Sequence, residues 1–596
     1  MQIYKAPLKD INYLLNDFLN IKKYSNLSSF SGLNDELIQA ILNEGSKFTE
    51  EVLLPLNASA DKEGCSYNGG EVKTPEGFKG AYRKFIESGW SSITARTEYG
   101  GQGLPNVLGY ALMEMIISTN MAFGTYPGLT QGASQAILKV GNKEQKDKFL
   151  PKLVSGEWSG TMNLTEPQCG TDLGLIKTKA IPNSNDSYKI TGTKIFITAG
   201  EHDLSENIIH LVLARTPDSL PGIKGLSLFI VPKYNINKDG SLGSRNEVSC
   251  GSIENKMGLK ASATCVMNYD SATGYLLGSE NKGMSAMFIM MNEARLGVAM
   301  QGLGLSEVAY QNAAAYSKDR HQGKALNKNE QKEKVADPII VHPDVRRMLL
   351  EMRSFNEGAR ALTLWTALNV DLSEDHPDQS TRQNSSDYLA LITPIIKAFL
   401  TDSAFENTNL ALQCYGGHGY IRDNGIEQFV RDARITQLYE GTSGIQALDL
   451  VGRKLPKGMG KLLRQFFHPV DSFIKSNMEN KELSDLVLPL AKSFARLQQA
   501  TAWVAQNGLE NPNEAAGASS DYLKMFGFVA MAFMWARMAK ISKEKLLDSN
   551  EEVDFHKNKL ILADFYMKKI LPQTSGLLSK ITAGSGSLMA MKNKDF

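Results

Sequence analysis

The chain has 596 residues, with 65 Lys and Arg against 64 Asp and Glu. Charges this evenly balanced leave no overall field to gather nucleic acid or an anionic membrane surface. The length exceeds one hydrophobic core and implies three or four domains, with room to bury a large cofactor.

Five cysteines (Cys65, Cys169, Cys250, Cys265, Cys414) are scattered and form no C-x-x-C pair. They read as free buried thiols of a reducing compartment, which argues against disulfide or metal roles. The N-terminus, MQIYKAPLKDINYLL, has no basic region followed by an apolar run, so no secretory signal is expected and a cytoplasmic location is.

In chain order, residues 9–24 and 34–54 carry apolar positions at helical spacing, the second opening on Asn34 or Asp35 as a cap and ending at Pro55. A polar, Gly-rich, hairpin-like stretch follows, then a helix over 77–88 and the glycine-rich loop Glu98–Pro105, which reads as a tight turn. Helices are expected at about 106–122, 129–140 and 143–154, so residues 1–157 are read as an N-terminal helical domain.

From Trp158 the pattern changes to short runs of period two: Ser159–Leu164, Lys177–Ile181, Tyr188–Phe196, Ile208–Arg215, Leu226–Pro232 and Val266–Tyr269. Turns rich in Gly, Asn, Asp and Pro separate them, predicting a compact β-barrel or sandwich over 158–278, with 234–250 as an exposed polar loop.

Helical periodicity returns at Gly283 and defines a bundle over 279–455, interrupted by the charged, solvated stretch Gly323–Val335. Residues 456–596 read as an additional helical domain, with breaks at Gly458–Gly460, Asn507–Gly517, Asp548–Glu552 and Pro572. This region holds 19 Lys and Arg against 14 Asp and Glu, too mild an excess for a nucleic-acid surface. Its apolar run Met525–Trp535 is too short to span a bilayer and fits a buried helix.

The most informative stretch is Gln413–Leu455. It opens on Gly416, Gly417 and Gly419, which let backbone approach a ligand closely. A helix-like segment follows, with Ile426, Phe429, Val430, Ala433 and Leu438 on one face and Arg431 and Arg434 one turn apart. Glu440 then sits between Tyr439 and Gly441, immediately before a second amphipathic helix over 443–454. Partial desolvation there raises a carboxylate toward the range of a working base; the simpler reading is a charge favoured by the helix dipole.

QCYGGHGY followed by VRDARITQLYEGTSGIQ resembles the C-terminal signature of the acyl-CoA dehydrogenase family, in which the Glu of YEGT removes the α-proton of an acyl thioester. MNLTEPQCGTD (162–172), KIFIT (194–198) and NEARLGVA to YSKDRHQGK (292–324) resemble the same family in the same order. The likeness covers about residues 35–455, and the C-terminal extension resembles the longer subtype typified by 3-methylmercaptopropionyl-CoA dehydrogenase-like enzymes. The fold implied is a mainly α chain with a central β-domain: N-terminal helical domain, β-barrel or sandwich, four-helix bundle and C-terminal helical extension.

No side chain accepts a hydride, so the implied chemistry needs a cofactor. No G-x-G-x-x-G stands between a strand and a helix, which leaves a Rossmann nicotinamide site unsupported. The resemblance implies FAD, bound between β-domain and C-terminal helices, and no metal. Carried across by position, Met162, Leu164, Thr165, Gly170 and Thr171 match the loop along the flavin, and Phe196, Ile197 and Thr198 the segment covering one ring face. Many relatives carry Trp where Phe196 stands. Arg320 matches the arginine that reaches the pyrophosphate of a neighbouring subunit's FAD, and His342, Gln413, Gly416, Gly417, Thr442 and Gly444 match further cofactor contacts.

For the acyl-CoA substrate the matching positions are Thr171, Asn292, Arg295 and Gly441. Some relatives place the base directly before the arginine; here that position is Ala294, and Glu293 points about 100 degrees away on a helix. The resemblance implies that Glu440 takes the proton while its own N–H and a flavin ribityl hydroxyl hold the thioester oxygen. Electrons would pass to an electron-transferring flavoprotein from a homodimer with no nucleic-acid partner and no integral membrane segment. An acyl-CoA oxidase, a flavin-carrying DNA-binding relative, and membrane docking through 525–535 are the alternatives.

Overall fold

A computed structural model of the chain describes residues 2–326, 335–548 and 551–596. Helix α1 (Leu8–Tyr13) runs into a π-helical turn, Leu14–Phe18, and a 3-10 turn, Ile21–Tyr24, in place of the single helix expected over 9–24. The left-handed Asn20 (φ 48) interrupts it. Asn34 caps α2 (Asp35–Phe48), its Oδ1 accepting from the Leu37 N–H at 2.8 Å.

Pro55 does not end the helical run. A π turn at Thr49–Leu53 breaks the bond ladder just before it, so the missing N–H falls where the register has already changed, and α3 continues over Leu54–Glu63. The hairpin β1 (Ser66–Asn68) and β2 (Glu71–Lys73) follows, then α4 (Phe78–Glu87).

The gap expected between 122 and 129 is helical. Helix α5 spans Asn106–Val140, and its one irregular residue is Asn120 (φ −160, ψ 86), whose side chain accepts from the Phe123 N–H and so caps the second half. A capping box of Asn142 and Gln145 opens α6 (Lys143–Ser155).

Strands β3 (Trp158–Asn163), β4 (Lys179–Pro182), β5 (Tyr188–Thr198), β6 (Asn207–Arg215), β7 (Leu226–Pro232), the hairpin β8 (Tyr234–Ile236) and β9 (Leu242–Arg245), β10 (Val248–Ile253) and β11 (Thr264–Leu277) complete the β region. The stretch 234–250, expected as a loop, is therefore that hairpin and the start of β10; its polar side chains mask strands that bury little. Pairings β11–β5–β4–β6–β7 and back to β11 close a five-stranded ring, which is the barrel. On β6, Val212 and Ala214 face a core with Phe229, Val231 and Tyr269, whereas Ile209, Leu211 and Leu213 pack with Ile137, Phe149 and Met287. Both faces are apolar, so the strand is buried throughout.

The helical remainder comprises α7 (Gly283–Asp319), α8 (Pro343–Asp375), α9 (Gln379–Tyr415), α10 (Glu427–Thr436), α11 (Ser443–Asp449), α12 (Lys461–Asn477), α13 (Ser484–Glu510), α14 (Pro512–Asp548), α15 (Val553–Phe565) and α16 (Gln573–Thr582). The charged interruption expected at Gly323–Val335 falls largely outside the described residues, as do Ser549 and Asn550 of the expected break at 548–552. The break expected over 507–517 shrinks to Asn511. Leu438, placed on the apolar face of its helix, lies beyond the end of α10 and is exposed.

The chain divides into two compact units: Met1–Ser46 with Pro105–Ser118 and Val298–Phe596, and Lys47–Leu104 with Thr119–Gly297. In the first, α14 is the central helix of the extension, and Met525–Trp535 is wholly buried. A Cβ at Gly527 would fall 2.2 Å from the Phe399 ring, and Trp535 Nε1 donates to the Ser354 carbonyl at 3.0 Å, so this run is committed to α8 and α9. Helices Asn106–Val140 and Gln379–Tyr420 are apolar and long enough to cross a membrane, but 83% and 72% of those windows are buried, as in core helices.

Candidate active site

In the second unit, the loop after β3 is bonded along β5. Glu166, 3% exposed, accepts from Lys194 Nζ at 2.8 Å, from the Lys177 and Thr178 N–H groups at 2.8 and 3.0 Å, and from the Thr178 hydroxyl at 2.6 Å. Lys194, fully buried, also donates to the Leu164 carbonyl at 2.9 Å, and the Ile195 N–H donates to the Thr165 carbonyl at 2.9 Å. Burial opposes ionisation of Glu166, yet the Lys194 ammonium and the Thr178 and Lys177 donors hold its pKa down at about 2. Lys194, pulled down to about 8 by burial against the pull of Glu166, remains an ammonium at neutral pH. Both residues lie inside recognised motifs, but no role was expected of either.

Strand β5 bulges one residue later. Between the pairs Lys194↔Met267 and Ile197↔Cys265 it carries two residues to one on β11, and Phe196 takes a left-handed φ of 59. The bulge turns the Phe196 ring outward, 60% exposed, while Ile197 returns to the barrel core. Thr165 and Thr198 are half-buried, Gly170 and Thr171 exposed, and Leu164 buried. On α7, Asn292 is exposed, and Arg295 is 6% exposed with its guanidinium 5.8 Å from the Phe288 ring centre. Glu293 accepts from Gln131 at 3.4 Å.

In the first unit, Tyr316 near the end of α7 stacks on Tyr415 (4.0 Å between centroids, 14° between planes), and its hydroxyl bonds His418 Nδ1 at 2.8 Å. This sets Arg320, exposed at the helix end, on the same side of the unit as the turn after α9. His342 donates from Nε2 to the Gln322 carbonyl at 2.8 Å. Gln413, Gly416 and Gly417 are exposed; a Cβ at either glycine would meet nothing within 4 Å, and Gly416 (φ 59) turns the chain out of α9. Gly419 has a different role, since a Cβ there would lie 2.6 Å from the Leu412 carbonyl.

The Tyr439–Thr442 turn is held on both sides. Glu440 is half-buried at φ 55 and Gly441 follows at φ 88, a left-handed pair that glycine makes affordable at its second position. Gln446, fully buried on α11, donates to the Glu440 carbonyl at 2.8 Å, and Lys397, fully buried on α9, donates to the Gly441 carbonyl at 2.7 Å. Asp402 Oδ1 accepts from Gln437 Nε2 at 2.8 Å and from the Ser443 hydroxyl at 2.7 Å. The Tyr439 hydroxyl donates to Gln301 Oε1, and burial, with Glu440 adding its charge, raises the tyrosine well above its usual range. Thr442 caps α11, its Oγ1 accepting from the Ile445 N–H at 3.3 Å, and Gly444 is exposed in the first turn. Lys397 is a lone cation within the apolar run ITPIIKAFL, and that is its one mark in the sequence.

In the second unit an aromatic ring turned outward by a bulge suits a planar ring system, and in the first, bare glycine backbone and an exposed arginine suit a pyrophosphate; FAD carries both groups. Family models described as acyl-CoA dehydrogenase N-terminal domain, middle domain and C-terminal domain match residues 35–157, 161–272 and 281–455, and one described as acetyl-CoA dehydrogenase C-terminal like matches 466–592. The chain is 41% identical to 3-methylmercaptopropionyl-CoA dehydrogenase of Ruegeria pomeroyi, over 98% of this chain and 99% of that one. The chain belongs to the acyl-CoA dehydrogenase family.

Membership makes it a flavin-dependent oxidoreductase of acyl-CoA, with FAD as cofactor. A butyryl-CoA dehydrogenase of Syntrophomonas wolfei is 34% identical over 100% of this chain and 99% of that one. The acyl-CoA dehydrogenase of Bacillus anthracis complexed with FAD shares the fold, with a TM-score of 0.73 at 20% identity over 96% of this chain and 90% of that one. The full-length matches carry the family fold through the C-terminal extension.

Proposed function

We propose that this acyl-CoA dehydrogenase forms the 2,3-trans double bond of an acyl-CoA with Glu440 as the α-proton base. The reading is carried by one observation: the carboxylate stands on a left-handed turn whose two following carbonyls are each held by a buried side chain, Gln446 and Lys397. A base fixed by its backbone meets one hydrogen of the substrate rather than sweeping a surface. Bound FAD supplies the acceptor for the β-hydride. The chain's own contributions are the proton transfer to Glu440, the Glu440 N–H directed at the thioester oxygen, and Arg295, Asn292, Thr171 and Gly441 placing the CoA thioester.

Met162, Leu164, Thr165, Gly170 and Thr171 would line the flavin edge, Phe196, Ile197 and Thr198 one face, and Gln413, Gly416, Gly417, Thr442, Gly444 and His342 the remainder. Exposed Arg320 would serve the FAD of a second subunit in a homodimer, and electrons would leave to an electron-transferring flavoprotein. The names of the relatives favour a short acyl chain, with 3-methylmercaptopropionyl-CoA and butyryl-CoA leading.

Anaerobic titration of the yellow holoenzyme with a series of acyl-CoAs tests this: bleaching is expected with the short thioesters. Glu440→Gln should keep its flavin and lose bleaching by a factor of at least about 1000, within the range of a lost general base. Normal turnover in that variant sinks the assignment.

A further inference from the structure

We infer that Lys397 is a positioning residue for proton abstraction, acting on Glu440 through the carbonyl of Gly441. The inference rests on the reading of Glu440 as the base and adds a residue to it.

Lys397 stands in the middle of α9 with no exposed surface. Removing a lysine side chain wholly from water is costly, and a solvated position would serve folding better. Its Nζ donates to the Gly441 carbonyl at 2.7 Å, a charge-assisted bond to a neutral acceptor on the turn itself. Such a bond also draws density from the peptide that joins Gly441 to Thr442.

The neighbouring peptide is fixed from the other side. Gln446 donates to the Glu440 carbonyl at 2.8 Å and, at 3.4 Å, to the Gly441 carbonyl, and its Oε1 is buried with no hydrogen-bond partner among the described residues, so its amide is aligned by the bonds it donates rather than by its own oxygen. Two successive peptide planes are therefore clamped from two helices, α9 and α11. The Ser443 and Gln437 bonds to Asp402 tie the ends of the turn to α9 as well. With φ at 55 for Glu440 and 88 for Gly441, the turn occupies a region that most side chains avoid. The left-handed φ at Glu440, which is not a glycine, favours relaxation, and the clamp opposes it. Relaxation would rotate both the Glu440 side chain and its N–H, the two groups the reaction uses, while leaving the CoA contacts on other elements untouched.

The step served is a simple one: the α-carbon loses its proton to a Glu440 oxygen, and the electron pair of that C–H bond moves toward the thioester. This half can be read alone, because α-hydrogen exchange with deuterated water needs proton transfer without completed hydride transfer.

The test uses FAD-loaded full-length Lys397→Met, with Gln446→Leu as a second variant that removes the other arm of the clamp. For each, the rate of flavin bleaching, the α-hydrogen exchange of a bound acyl-CoA, and the Kd for that acyl-CoA are measured beside the unmodified enzyme. The expected result is a fall of about 100-fold in both rates, the size of a misplacement near 1 Å, with Kd within about threefold. Rates within threefold in Lys397→Met overturn the inference, whatever Gln446→Leu does, and so does a loss of affinity that parallels the loss of rate. If Lys397→Met does not fold, Lys397→Gln, which also removes the ammonium, takes its place in the same measurements. A wild-type enzyme that fails to bleach, or an active Glu440→Gln, overturns the reading of the base itself and is distinguished by that control.

Discussion

Two buried glutamates face a buried cation each, and their environments push them in opposite directions. Glu114, in the first unit, meets Arg360 at 2.6 Å; Glu166, in the second, meets Lys194 at 2.8 Å. Burial drives Glu114 up to about 7 despite Arg360, because Glu307 and Asp10 compete for the same guanidinium at 3.0 and 2.5 Å. Among the described residues Lys194 forms an ion pair with Glu166 alone, and Glu166 is held at about 2. The lesson is that pairing alone does not set a carboxylate's charge; the ratio of cations to acids around it does. Around Arg360 four carboxylates (Asp10, Glu114, Glu307, Glu357) share three cations (Arg353, Arg360, Lys559), and one shared proton on Glu114 would balance them.

Removing the shared cation is the most severe way to break this contrast. Arg360→Met leaves three acids without their common partner and should cost about 3–5 kcal/mol, read as a lower urea midpoint or as loss of soluble protein. A loss under about 1 kcal/mol would mean the carboxylates are already neutral.

Lys194→Met should cost somewhat less, about 3 kcal/mol, and release FAD more readily, since the loop after β3 is bonded along β5 through that lysine. Adding Glu166→Gln should recover part of the loss. A strictly additive double mutant would show that the pair is not coupled.

The pH dependence sharpens the contrast further. For Glu114 the folded value lies above the unfolded one, so its stabilising effect is complete below about 4.5 and disappears as pH rises through about 7. For Glu166 the folded value is depressed, so its effect is present above about 4.5 and is lost as pH falls toward about 2. Between pH 5 and 8, Glu114→Gln should therefore flatten the wild-type decline in unfolding free energy, by up to about 3 kcal/mol. A wild-type curve that climbs across this window, unchanged by the substitution, refutes the assignment.

The smallest effect is expected at the active turn, where Thr442→Ala removes a helix cap for about 1 kcal/mol in thermal unfolding. A much larger loss would show that the turn depends on its cap more than on Lys397 and Gln446.

Much of this was legible in advance. Short strand-like runs bounded by turn residues marked the barrel, although β6 and β7, apolar on both faces, show no alternation of their own, and the signatures around 162–172, 194–198 and 413–444 named the candidate site residues. Other features depend on tertiary context. Pro55 reads as a stop, and only the π turn before it lets the helix continue. A gap is expected between 122 and 129, whereas the irregular residue of α5 is Asn120, which has no local mark beyond a capping side chain. The exposure of Phe196 follows from a bulge defined by pairing with β11, which no single strand reveals. Lys397, Gln446 and Asp402 act on a turn more than thirty residues away for two of the three, a distance no periodicity reports.

The extension's Lys559 reaches into the carboxylate cluster, contacting Asp10 and, at 2.6 Å, Glu357. Cutting the chain after residue 455 would thus do more than bare the apolar surface that α14 covers: it would strip away one of three positive charges and leave four acids behind. A trimmed enzyme would need compensating substitutions in α1, α5, α7 or α8 before it could stand alone, so the last quarter of the polypeptide is an integral partner in the charge balance of the first and cannot be treated as a detachable appendage.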